Sequence, residues 1–205
     1  MSTPDRQSHW QNVYLSKGEQ EVSWTQPDPQ PSLGLITTYA PSKASIVDIG
    51  GGASRLVDAL AGRGYGYLTV LDLSEAALQA AQQRLGARAA QVQWIVADAT
   101  KWQPPQPLDL WHDRAAFHFL VDASDREAYL DRLKRGVKVG GHAIIATFAL
   151  DGPEKCSGLP VQRYDAAGLS QTIGESFELI AAQPHRHVTP WGAMQSFQFS
   201  VLRRR

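Results

Sequence analysis

Four aspartates each lie at the end of a short apolar run: Asp48, Asp72, Asp98 and Asp113. If these runs are parallel strands, all four carboxylates reach one edge of a sheet, where open α/β sheets bind their ligands. Four like charges repel one another unless a ligand with positive charge or many hydrogen-bond donors lies among them. The pattern therefore predicts a site for a cationic, donor-rich ligand.

A glycine turn follows the first aspartate. Gly50 and Gly52 allow a tight strand-to-helix turn and a close backbone approach to a ligand. A dinucleotide-binding turn has a third glycine where this chain has Arg55, and Asp48 would face the pyrophosphate unfavourably. S-adenosylmethionine has no phosphate, and its ammonium and sulfonium suit an acid beside the turn. Asp72 follows Gly50 by 22 residues, a distance that suits an acceptor for ribose hydroxyls.

The elements that must position these residues alternate between strands and helices. Strands are predicted over 45–49, 67–71, 92–96, 108–111, 142–148, 177–182 and 196–202, and helices over 53–62, 74–85, 125–137 and 166–173. Alternation predicts a parallel sheet covered on both faces, and the last two strands, joined without a helix, should form an antiparallel edge hairpin. We predict an α/β three-layer sandwich: a seven-stranded, mostly parallel sheet with one antiparallel strand.

Composition limits the possible partners. Twenty basic and twenty acidic residues give a formal net charge of zero, which provides no general attraction to nucleic acid or an anionic membrane. The one cysteine excludes an intramolecular disulfide, and no apolar run is long enough for a membrane span. We expect a soluble, cytoplasmic protein that is a monomer or weak dimer. Three prolines within 27–31 predict a boundary between an N-terminal arm, 1–31, and a single domain, 32–205.

Residues 45 to 150 resemble the class I, Rossmann-like S-adenosylmethionine-dependent methyltransferases. The matching segments are 48–52, 71–74, 97–99 and 140–141. The resemblance implies S-adenosylmethionine as cofactor, S-adenosylhomocysteine as product, and a methionine, ribose and adenine site in chain order. The residues that it assigns to the cofactor are Asp48, Gly50, Gly52, Asp72, Leu73, Asp98 and Ala99.

The N-terminal segments 9–14 and 22–24 are similar to the opening of lysine methyltransferases of the citrate-synthase-modifying type and their bacterial relatives. By this resemblance, Trp10, Tyr14 and Trp24 cover the cofactor as a lid. Gln11 departs from the group, which often has an acidic residue there. The alternative interpretation is that these aromatics only pack the arm onto the domain.

Three segments on the same sheet edge are candidates for the methyl-acceptor site. In 111–119, Asp113 is expected to contact the cofactor or orient the acceptor, and His118 is a candidate general base. In 149–160, a long loop after a strand, Cys156 is a candidate acceptor-site residue. In 185–192, two histidines are spaced i, i+2, but no other ligands cluster with them, so no metal site is expected. The residues predicted to contact the acceptor are Arg114, Phe117, Arg163, Tyr164, His187 and Trp191.

The leading hypothesis is in-line methyl transfer to a small nucleophile, with a thiol, sulfide or metalloid favoured because Cys156 is a candidate and no second domain or basic face exists for a macromolecule. A protein-lysine acceptor is the alternative that the N-terminal resemblance implies. A nicotinamide-dependent reductase is disfavoured by Asp48, and a non-catalytic module that binds S-adenosylmethionine stays open.

Overall fold

A seven-stranded sheet forms the centre of the computed structural model, which describes residues 3–18 and 21–205. The seven strands of this sheet are β1 (Ser45–Ile49), β2 (Tyr67–Asp72), β3 (Val92–Val96), β4 (Leu108–Arg114), β5 (Val137–Phe148), β8 (Phe177–Val188) and β9 (Met194–Arg204). Two short strands, β6 (Lys155–Cys156) and β7 (Leu159–Pro160), form a separate hairpin. In the large sheet the order is β3-β2-β1-β4-β5-β9-β8, and only β9 runs antiparallel to its neighbours. The predicted fold class and the edge hairpin of β8 and β9 are confirmed.

Helices cover both faces of this sheet. They are α1 (Thr3–Ser16), α2 (Ser32–Tyr39), α3 (Leu56–Gly62), α4 (Glu75–Leu85), α5 (Ala123–Gly136) and α6 (Ala166–Ile173). The buried side chains of α2, α3 and α4 join one hydrophobic core, and those of α5 and α6 join a second core on the opposite face. The three-layer arrangement follows because each face of the sheet buries its own apolar residues. None of the helices in the described ranges has the length and apolarity of a membrane-spanning helix.

Five features of the secondary structure differ from the prediction. The N-terminal arm forms α1, and α2 was not predicted. Strand β4 continues to Arg114 instead of ending at Trp111, and β8 continues to Val188, so the supposed loop over 185–188 is a strand. The long loop after β5 contains the short hairpin of β6 and β7. Residues 1–2 and 19–20 of the predicted arm lie outside the described residues.

Candidate active site

A cavity of about 1080 Å³ lies at the carboxyl ends of β1 to β4, where the strand order reverses between β1 and β4. Its place is the one where open α/β sheets bind ligands. Three of the four predicted aspartates, Asp48, Asp72 and Asp98, line it together. Of the residues predicted to bind the cofactor, those that line the cavity are Trp10, Tyr14, Trp24, Asp48, Gly50, Asp72, Leu73, Asp98 and Ala99.

The glycine turn between β1 and α3 forms one wall. Gly50 and Gly52 have φ values of +64° and +46°, which L side chains rarely adopt. A Cβ on Gly52 would lie 2.9 Å from the Tyr14 hydroxyl and 3.0 Å from Asp72 Oδ2, and a Cβ on Gly50 would lie 2.8 Å from Ala116 Cβ. The backbone of the turn is therefore packed tightly against Tyr14, Asp72 and Ala116, and larger residues would displace them.

Asp48 is held by a residue that the sequence analysis missed. Its Oδ1 lies 2.7 Å from His112 Nδ1, and His112 Nε2 lies 2.9 Å from Ser32 Oγ. All three side chains are buried, and His112 lines the cavity. The register pairs Asp48 of β1 with His112 of β4, so the continuation of β4 brings the two side chains together.

Asp72 is the most strongly perturbed carboxyl of the cavity wall. Its Oδ1 accepts a hydrogen bond from the Ser74 backbone N–H at 2.8 Å. Burial, together with the neighbouring charge of Asp48, nevertheless raises the pKa of Asp72 to about 7. A buried carboxyl in this state favours a ligand that brings positive charge or hydrogen-bond donors.

Asp98 closes the far end of the cavity with Arg6, which was also missed. Asp98 Oδ1 accepts from the Thr100 backbone N–H at 2.9 Å and from the Thr100 hydroxyl at 2.8 Å. Its Oδ2 lies 3.1 Å from Arg6 Nη2, and Arg6 Nη1 lies 2.6 Å from Asp125 Oδ2. Arg6 therefore joins α1 to the end of β3 and the start of α5.

The inner face of α1 covers the cavity. Arg6, Trp10 and Tyr14 are spaced by four residues, which places them on one face of a helix, and all three line the cavity. The Trp10 ring packs 5.7 Å from that of Trp24 and 5.0 Å from that of Phe119, and Trp24 Nε1 donates to the Tyr14 hydroxyl at 3.1 Å. The three predicted lid aromatics thus lie in one cluster.

Gln11 joins α1 to the beginning of α4. Its Oε1 accepts from the Ser74 hydroxyl at 3.0 Å and from the Ala76 backbone N–H at 3.2 Å, at the beginning of α4. This neutral side chain therefore has a defined contact at the position where the resembled group often has an acid.

Arg114 and Cys156 lie at the end of the cavity nearest β5 and the hairpin of β6 and β7. Arg114 Nη2 donates to the Trp24 carbonyl at 3.0 Å. Burial raises the pKa of Cys156 to about 11, so its thiol is protonated at neutral pH. Both predicted residues are in contact with the same space as the aspartates.

Asp113 lies outside this cavity, contrary to its predicted roles. Its Oδ1 accepts from the Ala116 backbone N–H at 2.9 Å, and its Oδ2 accepts from the Phe117 backbone N–H at 3.1 Å and the Tyr129 hydroxyl at 2.6 Å. Because side chains alternate along a strand, the continuation of β4 turns Asp113 away from the cavity face that holds His112 and Arg114. Asp113 stabilises the turn after β4, and burial raises its pKa to about 6.

His118 also lies away from the cavity. It is fully buried, with its ring 4.5 Å from that of Phe119 and 4.8 Å from that of Phe148, and its Nδ1 accepts weakly from the Phe148 backbone N–H at 3.4 Å. Burial lowers the pKa of His118 to about 3, so the ring is a weak proton acceptor at neutral pH. The position does not fit the predicted role.

The remaining predicted acceptor residues do not line the cavity. Phe117 and Tyr164 pack against each other in the second core, with ring centroids 5.7 Å apart. Arg163 donates to the carbonyls of Leu150 and Gly152 and stabilises the loop after β5. The other two residues lie on or beyond β8: His187 contacts the Ser23 carbonyl through Nε2, and Trp191 is exposed.

We expect His118→Phe to keep both methyl transfer and its pH profile, because a neutral, buried ring away from the cavity exchanges no proton there. The substitution leaves the Phe148 N–H without its weak acceptor, which is expected to lower the free energy of unfolding by about 1–2 kcal/mol. Steady-state rates across pH and urea denaturation measure the two effects. If the rate of His118→Phe no longer fell at low pH as that of wild type does, His118 would be the general base after all.

Comparison with known proteins agrees with the geometry. Residues 46–141 match the family model of a methyltransferase domain. One similar structure, described in a study of the conversion of a disulfide bond into a thioacetal group during echinomycin biosynthesis, has a TM-score of 0.76 at 22% identity, with 97% of this chain and 92% of that chain covered.

Two further structures have the same fold. The 1,6-didemethyltoxoflavin N1-methyltransferase of Burkholderia thailandensis, with bound S-adenosylhomocysteine, has a TM-score of 0.69 at 17% identity and covers 98% of this chain and 86% of its own. An S-adenosylmethionine-dependent methyltransferase from Anabaena variabilis has a TM-score of 0.77 at 13% identity, and the match covers 99% of this chain and 95% of that chain.

The sheet order and the cavity at its switch point define a Rossmann-like α/β fold of the ligand-binding type. Within this fold, residues 46–141 match a methyltransferase domain, which makes S-adenosylmethionine the expected ligand of the cavity.

Proposed function

We propose that the three carboxylates of the cavity hold S-adenosylmethionine in chain order. Asp48 beside the glycine turn faces the methionine portion, Asp72 accepts from the ribose hydroxyls, and Asp98 with Ala99 borders the adenine. The residues fit this ligand because a wall of carboxylates suits a molecule with an ammonium, a sulfonium and several donors. When bound, the cofactor supplies an electrophilic methyl carbon on its sulfonium.

The hydrogen bonds of these carboxylates prepare them for the two ends of the cofactor. The His112 and Ser32 side chains fix the Asp48 carboxylate before a ligand arrives, so little ordering is left to the binding step. At the adenine end, Asp98 shares its Oδ2 with Arg6, and α1 closes over the same space. The chain's own contribution is thus to bind and orient the cofactor and to exclude water.

The methyl acceptor that we propose is a small nucleophile of the thiol, sulfide or metalloid class. The observation that carries this proposal is that the predicted general base, His118, lies outside the cavity, as does Asp113, which was predicted to contact the cofactor or orient the acceptor. A thiol with an ordinary pKa near 8.5 supplies some thiolate at neutral pH, whereas a lysine amine near 10.4 needs a base to remove its proton. An acceptor that loses its proton without a strong base therefore suits this cavity best.

The covering helix supports a small acceptor over a protein lysine. The Trp10, Trp24 and Phe119 rings pack against one another above the cavity, and Arg6 is bound on both sides by carboxylates. A lysine on a folded protein would have to displace this layer. A small molecule can enter with a limited movement of α1.

Radiolabelled S-adenosylmethionine with single compounds and with size-fractionated cell lysate tests the proposal. We expect label in small thiols, sulfide or metalloid oxyanions, with His118→Phe as an active control and Asp72→Ala as a cofactor-deficient control. Label only in a protein band would overturn the small-acceptor proposal in favour of a protein lysine. Calorimetric binding of the cofactor without turnover of any acceptor would favour a non-catalytic binding module.

A further inference from the structure

A second cavity, of about 750 Å³, adjoins the first. It lies between the carboxyl end of α1, the segment 22–26, the glycine turn and α4. The two cavities share four lining residues, Tyr14, Trp24, Ser54 and Arg114. These shared residues form the wall between a site for the cofactor and a separate space that opens on the same side of the protein.

The second cavity lacks the carboxylates of the first among the described residues that line it. Among the described residues, the charged side chains that line it are Lys17, Arg55 and Arg114, all of them basic. The nearby Glu21 carboxylate accepts from the Gly18 backbone N–H at 2.7 Å. The two cavities therefore differ in their charge: three carboxylates line the first together with Arg6 and Arg114, and basic side chains line the second.

Arg114 occupies the junction. The hydrogen bond that its guanidinium donates, to the Trp24 carbonyl at 3.0 Å, uses one of five N–H donors, and the Asp48 carboxylate also interacts with its charge. Lys17 and Arg55 are exposed, and Arg55 has a partner of its own, so they contribute a partly screened positive field at the mouth rather than a buried contact. A planar guanidinium at the inner end of such a funnel is suited to a carboxylate, which it binds through two parallel hydrogen bonds.

We propose that the acceptor is a small molecule with a carboxylate, which enters through the second cavity and is held by Arg114 while its nucleophile faces the cofactor's methyl group. The inference deepens the proposed function and rests on it. A carboxylate at this junction has two possible sources, the acceptor and the methionine portion of the cofactor. We assign it to the acceptor because three cations line a space that extends beyond the first cavity.

Three small thiols that differ mainly in charge test the assignment: mercaptoacetate, mercaptoethanol and cysteamine. Binding of each to the protein saturated with S-adenosylhomocysteine is measured by calorimetry, and turnover is measured separately with labelled cofactor. We expect wild type to bind mercaptoacetate about ten times more tightly than mercaptoethanol, and cysteamine most weakly. Arg114→Gln should remove this preference and keep the affinity for S-adenosylhomocysteine within about threefold.

Arg114→Lys, which keeps the charge and loses the planar pair of donors, should retain part of the preference and guards against misfolding of the glutamine variant. The double variant Lys17→Gln with Arg55→Gln should slow association of mercaptoacetate and weaken its salt dependence. Equal binding of the three thiols by wild type would overturn the inference. A loss of S-adenosylhomocysteine affinity in Arg114→Gln, with the thiol preference intact, would assign Arg114 to the cofactor carboxylate instead.

The calorimetric binding measurements distinguish a failure of this inference from a failure of the proposed function. Carboxylate-dependent binding that Arg114→Gln abolishes, without methyl transfer to any thiol, would support the anion site and contradict the thiol class. Methyl transfer to all three thiols with equal efficiency would support the thiol class and contradict the anion site.

Discussion

Arg6→Ala is expected to free α1 from the sheet edge and to weaken S-adenosylhomocysteine binding by at least about tenfold. Arg6 is 7% exposed and is paired with Asp98 at 3.1 Å and Asp125 at 2.6 Å. Removing one partner of a buried ion pair leaves an uncompensated charge and costs about 3–5 kcal/mol. The Thr100 donors remain on Asp98, so we expect the lower part of that range.

Urea denaturation, calorimetry and amide hydrogen exchange together measure this effect. Exchange should rise along α1, because its inner face keeps only the aromatic contacts of Trp10 and Tyr14. Asp125→Asn is the matched control: it weakens the more exposed of the two ion pairs and keeps the one at the cavity. An Arg6→Ala protein with wild-type unfolding and wild-type affinity would show that α1 is held by the aromatics and Gln11 alone.

Elements with strong local signals were predicted closely. The bounds of β1, β3 and α6 agree with the predicted ranges: β1 is buried along most of its length and α6 buries Leu169 and Ile173, whereas β3 buries only Val92 fully. Ser74 was expected to begin α4, and its hydroxyl accepts from the Ala77 N–H at 3.2 Å. The rule that ligands bind at strand ends then located three carboxylates of the cavity without any knowledge of side-chain contacts.

The errors lie where polar side chains are buried by partners distant in sequence. Strand β4 was predicted to stop at Trp111 because His112, Asp113 and Arg114 are polar. In the fold, His112 pairs with Asp48 and Asp113 with Tyr129, so these polar residues continue the strand. Because the strand continues for three residues, the His112 side chain faces the cavity and the Asp113 side chain faces away from it.

Helix α1 has a similar explanation. Its sequence is polar with scattered aromatics, and its inner face is defined only by contact with the cavity. Arg6, Trp10 and Tyr14 have the spacing of one helical face, which is the signal that would have found both the helix and the role of Arg6. The acceptor residues were predicted least well, because the loops that hold them are fixed by contacts such as those of Arg163 with Leu150 and Gly152.

Asp72→Ala is expected to weaken binding of S-adenosylmethionine by about ten- to a hundredfold, because it removes a buried, charged acceptor for the ribose hydroxyls. Asp72→Asn keeps one acceptor oxygen and removes the charge, so a smaller loss is expected. Calorimetric affinities of the two variants for S-adenosylmethionine and S-adenosylhomocysteine measure this. Unchanged affinity in Asp72→Ala would contradict the ribose assignment.

The same carboxyl predicts how stability depends on pH. Its pKa is raised from 3.8 to about 7 in the folded protein, so the folded state disfavours the charged form that the unfolded chain accepts above pH 4. The ligand-free protein should therefore lose stability as pH rises from about 4 to about 7, by on the order of 4 kcal/mol from this group. Asp72→Asn should remove that loss and unfold at higher urea concentration than wild type at pH 8.

Cofactor binding should reverse this cost. The sulfonium and ammonium of S-adenosylmethionine favour the ionised carboxyl, so binding near pH 7 should release a proton from Asp72 and become tighter as pH rises through about 7. Calorimetry in buffers of different ionisation enthalpy counts that proton, and Asp72→Asn should release none. Equal proton release from wild type and Asp72→Asn would place the titrating group elsewhere in the cavity, since the variant keeps the shape of the site and changes only its charge.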